Sequence, residues 1–178
     1  MRYFTKEIWL GWQGEDWREW NELYEANLKT YRKQLASLST RMPPKYFKFF
    51  MQESLHDGKL VSINIVNKPA FRSVVLGRRW IDQSEPIAIE IQVANSVSTL
   101  LFTLKYQDVR TARFDFPSDR PLFHPDGRIG TWGYDELTAA DDLYLRHEAM
   151  FDSGAILLME FRRFSYKRAR IARHAHPA

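Results

Sequence analysis

Two hydrophobic periods divide the chain. From Trp17 onward, Trp20, Tyr24, Leu28, Tyr31, Leu35 and Leu38 follow one another at spacings of three or four, the repeat of one face of an α-helix. Glu15 and Asp16 stand at the start of this stretch and Lys29, Arg32 and Lys33 toward its end, the order a helix dipole favours. Glu25 and Lys29 add an i,i+4 ion pair in the better orientation. The pattern predicts a helix from Gly14 to about Leu38, with Gly11 and Gly14 separating it from a short entry segment, Thr5 to Leu10. Pro43-Pro44 opens a second predicted helix, because proline suits a first helical turn. Phe47, Phe50, Met51 and Leu55 form its apolar face, and Gly58 is its expected stop. Both aromatic stripes read as core, since burying such a face is what holds helices in proteins.

After Gly58 the period becomes two. Val61, Ile63 and Ile65 alternate with Ser62 and Asn64; Ile87, Ile89, Ile91 and Val93 alternate with Ala88, Glu90 and Gln92; Leu100, Phe102, Leu104 and Tyr106 alternate with Thr99, Thr103 and Lys105. Ala112, Phe114 and Phe116, then Leu143 to Phe151 and Ala155 to Phe164, continue the series. Short polar turns between these runs leave no room for crossover helices, so the sheet is expected to be antiparallel. The predicted class is α+β: two N-terminal helices packed on a mainly antiparallel sheet of about six to seven strands. One domain is expected over residues 1–164, with helices in 1–57 and sheet in 58–164, followed by a basic, flexible tail at 165–178.

Charge separates that tail from the rest. The net charge is +4, yet residues 162–178 hold six basic side chains (Arg162, Arg163, Lys167, Arg168, Arg170, Arg173) and no acidic one. The remainder is slightly acidic. A tail of this kind is ordinarily a solvated end segment, although Phe164 and Tyr166 beside it could stack on bases. At 178 residues the chain is long enough to build its own core. The absence of cysteine excludes disulfides, thiolate metal sites and a cysteine nucleophile. No apolar run approaches about 18 residues, and Lys6 and Glu7 interrupt the start where a signal-peptide core would lie. The expected location is a bacterial cytoplasm.

Few residues suggest chemistry. His56-Asp57 joins an imidazole to a carboxylate, a pair able to ligate a metal, with His124 or Asp126 as a third ligand. The competing role for His56 is to cap the preceding helix, with Asp57-Gly58 forming a turn. In Arg146-His147-Glu148 the second histidine of a zinc helix is missing, Phe151 standing in its place. Adjacent strand residues also point to opposite faces. Ser153 lacks a nucleophile elbow, and Gly127, Gly130 and Gly133 lack the strand-to-helix setting of a phosphate cradle. No catalytic residue, cofactor-binding residue or cofactor is assigned. The segment Pro117 to Gly133, rich in proline and glycine, is expected to be a long connection, either functional or a rigid crossing of the sheet edge.

The closing hairpin permits a register. A three-residue loop Asp152-Ser153-Gly154, with Gly154 left-handed, pairs Phe151 with Ala155. His147 then falls opposite Met159, Leu145 opposite Phe161, Ala149 opposite Leu157 and Arg146 opposite Glu160. His147 should pack inward as a structural residue, and Arg146 and Glu148 should face out.

Three patches, Met1-Arg2-Tyr3-Phe4-Thr5-Lys6-Glu7, Leu55-His56-Asp57-Gly58-Lys59-Leu60, and Leu145-Arg146-His147-Glu148 with Phe151-Asp152-Ser153-Gly154-Ala155, together resemble a group of uncharacterised bacterial domains. Those domains open with a YFTKE-like segment, enter their sheet through an HD doublet and close with an RHE…SGA hairpin. The resemblance implies a small α+β fold, of the kind immunity proteins also use to neutralise toxins by binding. It carries no catalytic role onto any residue. The functional expectation is a non-enzymatic protein that binds a protein partner through a sheet face or the Pro117–Gly133 loop. The alternatives are a metal-assisted hydrolase at His56, Asp57, His124 and Asp126, or a phosphate or nucleic-acid binder acting through Arg162 to Arg173.

Overall fold

The computed structural model describes residues 1–11, 17–66, 70–75, 78–82, 87–116 and 129–171. Three helices come first: α1 (Lys6–Gly11), α2 (Trp17–Ser37) and α3 (Pro44–Gln52). The segment expected only as an entry is thus itself a short helix. The apolar stripe of α2 behaves as its spacing requires, with Tyr31, Leu35 and Leu38 all buried. Helix α3 departs from expectation at both its face and its end. Phe49 is its buried residue, packed on Phe102 and Tyr166, whereas Met51 is exposed. Its last residue is Gln52, because Glu53 turns into an extended conformation. Gly58 is therefore not a helix stop but the first residue of a strand.

The strands are β1 (Gly58–Val66), β2 (Ala70–Val75), β3 (Arg78–Asp82), β4 (Ala88–Ala94), β5 (Leu100–Gln107), β6 (Thr111–Asp115), β7 (Thr131–Ala139), β8 (Leu145–Phe151), β9 (Ile156–Phe161) and β10 (Arg163–Arg170). β2 and β3 pair as a two-stranded ribbon. The other eight form one antiparallel sheet in the order β10-β5-β4-β1-β7-β8-β9-β6, so the α+β class holds with more strands than expected. The two ends of this order belong to one ladder. Only Arg162 separates β9 from β10, and β6 follows β5 after three residues. Thr111 pairs with Glu160, and Gln107 pairs with Arg163. The run 100–115 therefore lies antiparallel to 156–170 with one irregularity, and the sheet closes into a barrel. Closure removes most free strand edges. Ile91, Leu104, Tyr106, Leu137, Met159 and Phe161 are almost fully buried within one core cluster.

The closing hairpin has the expected register. Leu145 pairs with Phe161, Arg146 with Glu160, His147 with Met159 and Ala149 with Leu157. The Phe151 N–H donates to the Ala155 carbonyl at 2.9 Å, and Gly154 has φ 82°. His147 is buried, and Arg146 donates to Glu160 Oε1 at 3.0 and 2.7 Å. Glu148 is less open than expected, since it accepts from the Met1 amino group at 3.0 Å.

Three other expectations are corrected. The alternation of Val61, Ile63 and Ile65 is broken by a bulge between Leu60 and Ser62, which leaves Val61 exposed while Leu60 and Ile63 pack against the core; Ile65, near the end of the strand, is exposed as well. Thr131, Trp132 and Gly133, expected in a long connection, open strand β7. Residues 165–170, expected in a flexible tail, pair along their whole length with β5 from Lys105 to Leu100. Phe164 is core and Tyr166 lies on Phe49, so neither ring stands free for a base. Arg163 and Arg168 are ion-paired with Asp108 and Glu53.

Candidate functional site

The five residues Trp132-Gly133-Tyr134-Asp135-Glu136 build the site, and a bulge in β7 makes this possible. Trp132 pairs with Phe151 and Asp135 with Ala149, so one extra residue is accommodated between them. Glycine is required at position 133, because a Cβ there would lie 2.8 Å from the Met150 carbonyl oxygen. The bulge points the Gly133 carbonyl at His56, whose Nδ1 lies 3.0 Å away. Nδ1 must carry the proton to make this bond. The His56 ring stacks on Tyr134 with centroids 5.5 Å apart, and Trp9 meets Tyr134 edge-on at 5.4 Å.

Below the bulge, polar side chains form a buried relay. His147 Nδ1 lies 2.7 Å from the Tyr106 hydroxyl, and its Nε2 lies 3.1 Å from Asp135 Oδ2. Trp132 Nε1 donates to Asp135 Oδ1 at 3.1 Å. Burial, and then the Asp135 charge, push the Tyr106 hydroxyl well above the usual phenol range. The hydroxyl therefore keeps its proton, and because a carboxylate only accepts, Nε2 carries the N–H that donates to Asp135. Both imidazole nitrogens are occupied, so the histidine orients the carboxylate and has no free nitrogen for a metal or a substrate.

Asp135 opens on its other side into a cleft of about 660 Å³. Phe4 and Trp9 line it from the N-terminal segment, Tyr24, Leu28 and Tyr31 from α2, Phe50 and Met51 from α3, and Gly133 and Tyr134 from β7. Arg32, Glu53 and His56 add polar groups. The wall is stiffened from behind. Glu136, fully buried, accepts the backbone N–H of Arg2 at 2.8 Å and those of Tyr3 and Phe4 at 2.6 Å each, which fixes Phe4 in place. The Tyr31 hydroxyl accepts from the Leu137 amide at 2.9 Å. Burial chiefly, with Tyr24 and Asp57 adding, pushes the Tyr134 phenol up to about 12. Burial also raises Tyr24 and Tyr31, so the three phenols are neutral at physiological pH.

Of the four candidate metal ligands His56, Asp57, His124 and Asp126, His56 lines the cleft. Asp57 is beside it, 3.7 Å from His56 Nε2, but is largely exposed and takes a turn conformation at φ 59°. His56 bonds a strand carbonyl rather than the helix end expected of a cap. His124 and Asp126 lie outside the described residues, as does Gly127. Among the described residues no group of three metal-ligating side chains converges. His147 and Glu148 point to opposite sides, as the register requires. Asp135, Tyr134, Tyr24 and Trp9 were not singled out as site residues. The one local signal for them was two acids, Asp135-Glu136, inside an otherwise aromatic and apolar run.

Comparisons with protein-family models, curated proteins and solved structures find no match to this chain. Among the described residues no helix is long and apolar enough to cross a membrane.

Proposed function

We propose that this chain works by binding, and that its ligand is a small planar organic molecule held in the cleft beside β7. The observation that carries this reading is a concave, largely aromatic surface enclosing about 660 Å³, in which the Asp135 carboxylate is oriented by Trp132 and His147. Small-molecule sites characteristically have this size and this mixture of apolar lining with a few placed polar groups. This reading departs from the expected protein partner, since the ligand becomes a small molecule. The working surface becomes the cleft rather than the sheet face or the Pro117–Gly133 segment.

The test is calorimetric titration with indole, a neutral planar probe. Saturable one-site binding is expected, weakened at least tenfold by Leu28→Trp, which fills the space Leu28 borders. Absence of binding at millimolar indole, or unchanged binding in a folded Leu28→Trp variant, would overturn the reading.

A further inference from the structure

We propose that the cleft selects a planar organic cation, seated with its ammonium or amidinium group against Asp135 and its ring among Tyr24, Tyr31 and Tyr134. This rests on the binding reading above and adds the sign of the charge. Asp135 is built as a receptor carboxylate. Each oxygen is held from behind by one ring N–H donor, Trp132 Nε1 or His147 Nε2, at 3.1 Å. Its side chain is 26% exposed where that of His147 is 2% exposed. Among the described residues no lysine or arginine pairs with it, and its partner is the His147 imidazole, an ion pair only when that ring is protonated. A half-buried carboxylate in that condition gains most from a cation that arrives with the ligand.

The remaining groups favour the same sign. Aromatic faces attract a positive charge through their quadrupoles, and the three tyrosines remain neutral phenols that do not compete with Asp135 as anions. Glu53 on the lip is already tied to Arg168 at 3.2 Å. Arg32, the basic residue of the lining, is exposed at the mouth, where solvent and salt screen it.

Three probes that share the indole ring decide the matter on the unaltered protein: tryptamine, its neutral isostere tryptophol, and indole-3-propionate. Tryptamine is expected to bind at least tenfold more tightly than tryptophol, a difference of about 1.4 kcal/mol, with indole-3-propionate weakest. Asp135→Asn should reduce the ratio of tryptamine to tryptophol affinity to about one. If that variant fails to fold, Arg32→Glu, at an exposed position, should raise the same ratio. Tryptophol binding without any preference for tryptamine, or a preference that survives Asp135→Asn, would overturn the cation proposal and leave the binding reading standing. Failure of all three probes would overturn both.

Discussion

Glu136 ties the N-terminal segment to the barrel, and replacing it should be among the most damaging single changes available. Its side chain is fully buried, and its two oxygens accept three backbone N–H groups, from Arg2, Tyr3 and Phe4, at 2.6–2.8 Å. A hydrogen bond to a charged group contributes about 1.5–3 kcal/mol, and an abandoned buried donor costs about 1–3 kcal/mol. Glu136→Gln retains an oxygen for two of the amides but turns an NH2 group toward the third, placing donor against donor. Allowing for partial relaxation, the expected loss is about 2–4 kcal/mol, and about 3–5 kcal/mol for Glu136→Ala. Chemical denaturation reads the total. Amide hydrogen exchange reads its location, which should be the N–H groups of Arg2, Tyr3 and Phe4 before those of β4 and β5. Since Phe4 is a wall of the cleft, indole affinity should fall in a variant that remains folded. A Glu136→Gln protein within about 0.5 kcal/mol of the parent, the ordinary range for surface substitutions, would refute the clamp.

Gly133→Ala forces a Cβ to within 2.8 Å of a backbone oxygen of β8, so a loss of about 1–3 kcal/mol is expected in denaturant, together with weaker indole binding as the bulge shifts. Truncation after Phe164 removes six of the eight residue pairs between β10 and β5, and a loss of at least about 2 kcal/mol should follow; an unchanged midpoint would mean that the edge strand contributes nothing. Burial opposes ionisation of Glu160, but hydrogen bonds from Arg146, Arg110 and Thr111 outweigh it and hold the carboxyl below its usual range. Its contribution is therefore complete above the ordinary glutamate pKa and is lost as pH falls through the lower folded value. Glu160→Gln should accordingly flatten the acid limb of the stability profile without altering the slope near neutrality.

The hairpin of β8 and β9 was legible because independent local signals agree on one register: a glycine-containing turn, inward apolar residues and a cross-strand arginine–glutamate match. Strand β7 was not legible for the opposite reason. Its bulge places one extra residue between Trp132 and Asp135, so the period of two is lost where the site is built. The same kind of defect in β1 turns Val61 outward against its period of two. Charge counting places the basic C-terminal run in solvent because it registers side chains only. Lys167, Arg168 and Arg170 are indeed exposed, yet their backbone completes the β5 ladder. The cleft itself unites α1, α2, α3 and β7, and no spacing within one element could announce it. Even His56, which sequence did single out, finds its partner 77 residues away in the Gly133 carbonyl.

The most direct measurement is a chemical-shift map of the protein, with methyl and aromatic side chains labelled, during titration with indole. If the cleft is the working surface, perturbations should concentrate on Leu28, Met51, Tyr24 and Tyr134, which line it, and should saturate together with a single dissociation constant. Perturbations centred instead on Val61, Ile65 or Val97, apolar residues exposed outside the cleft lining, or scattered without saturation, would contradict the claim that this cleft is where the protein binds.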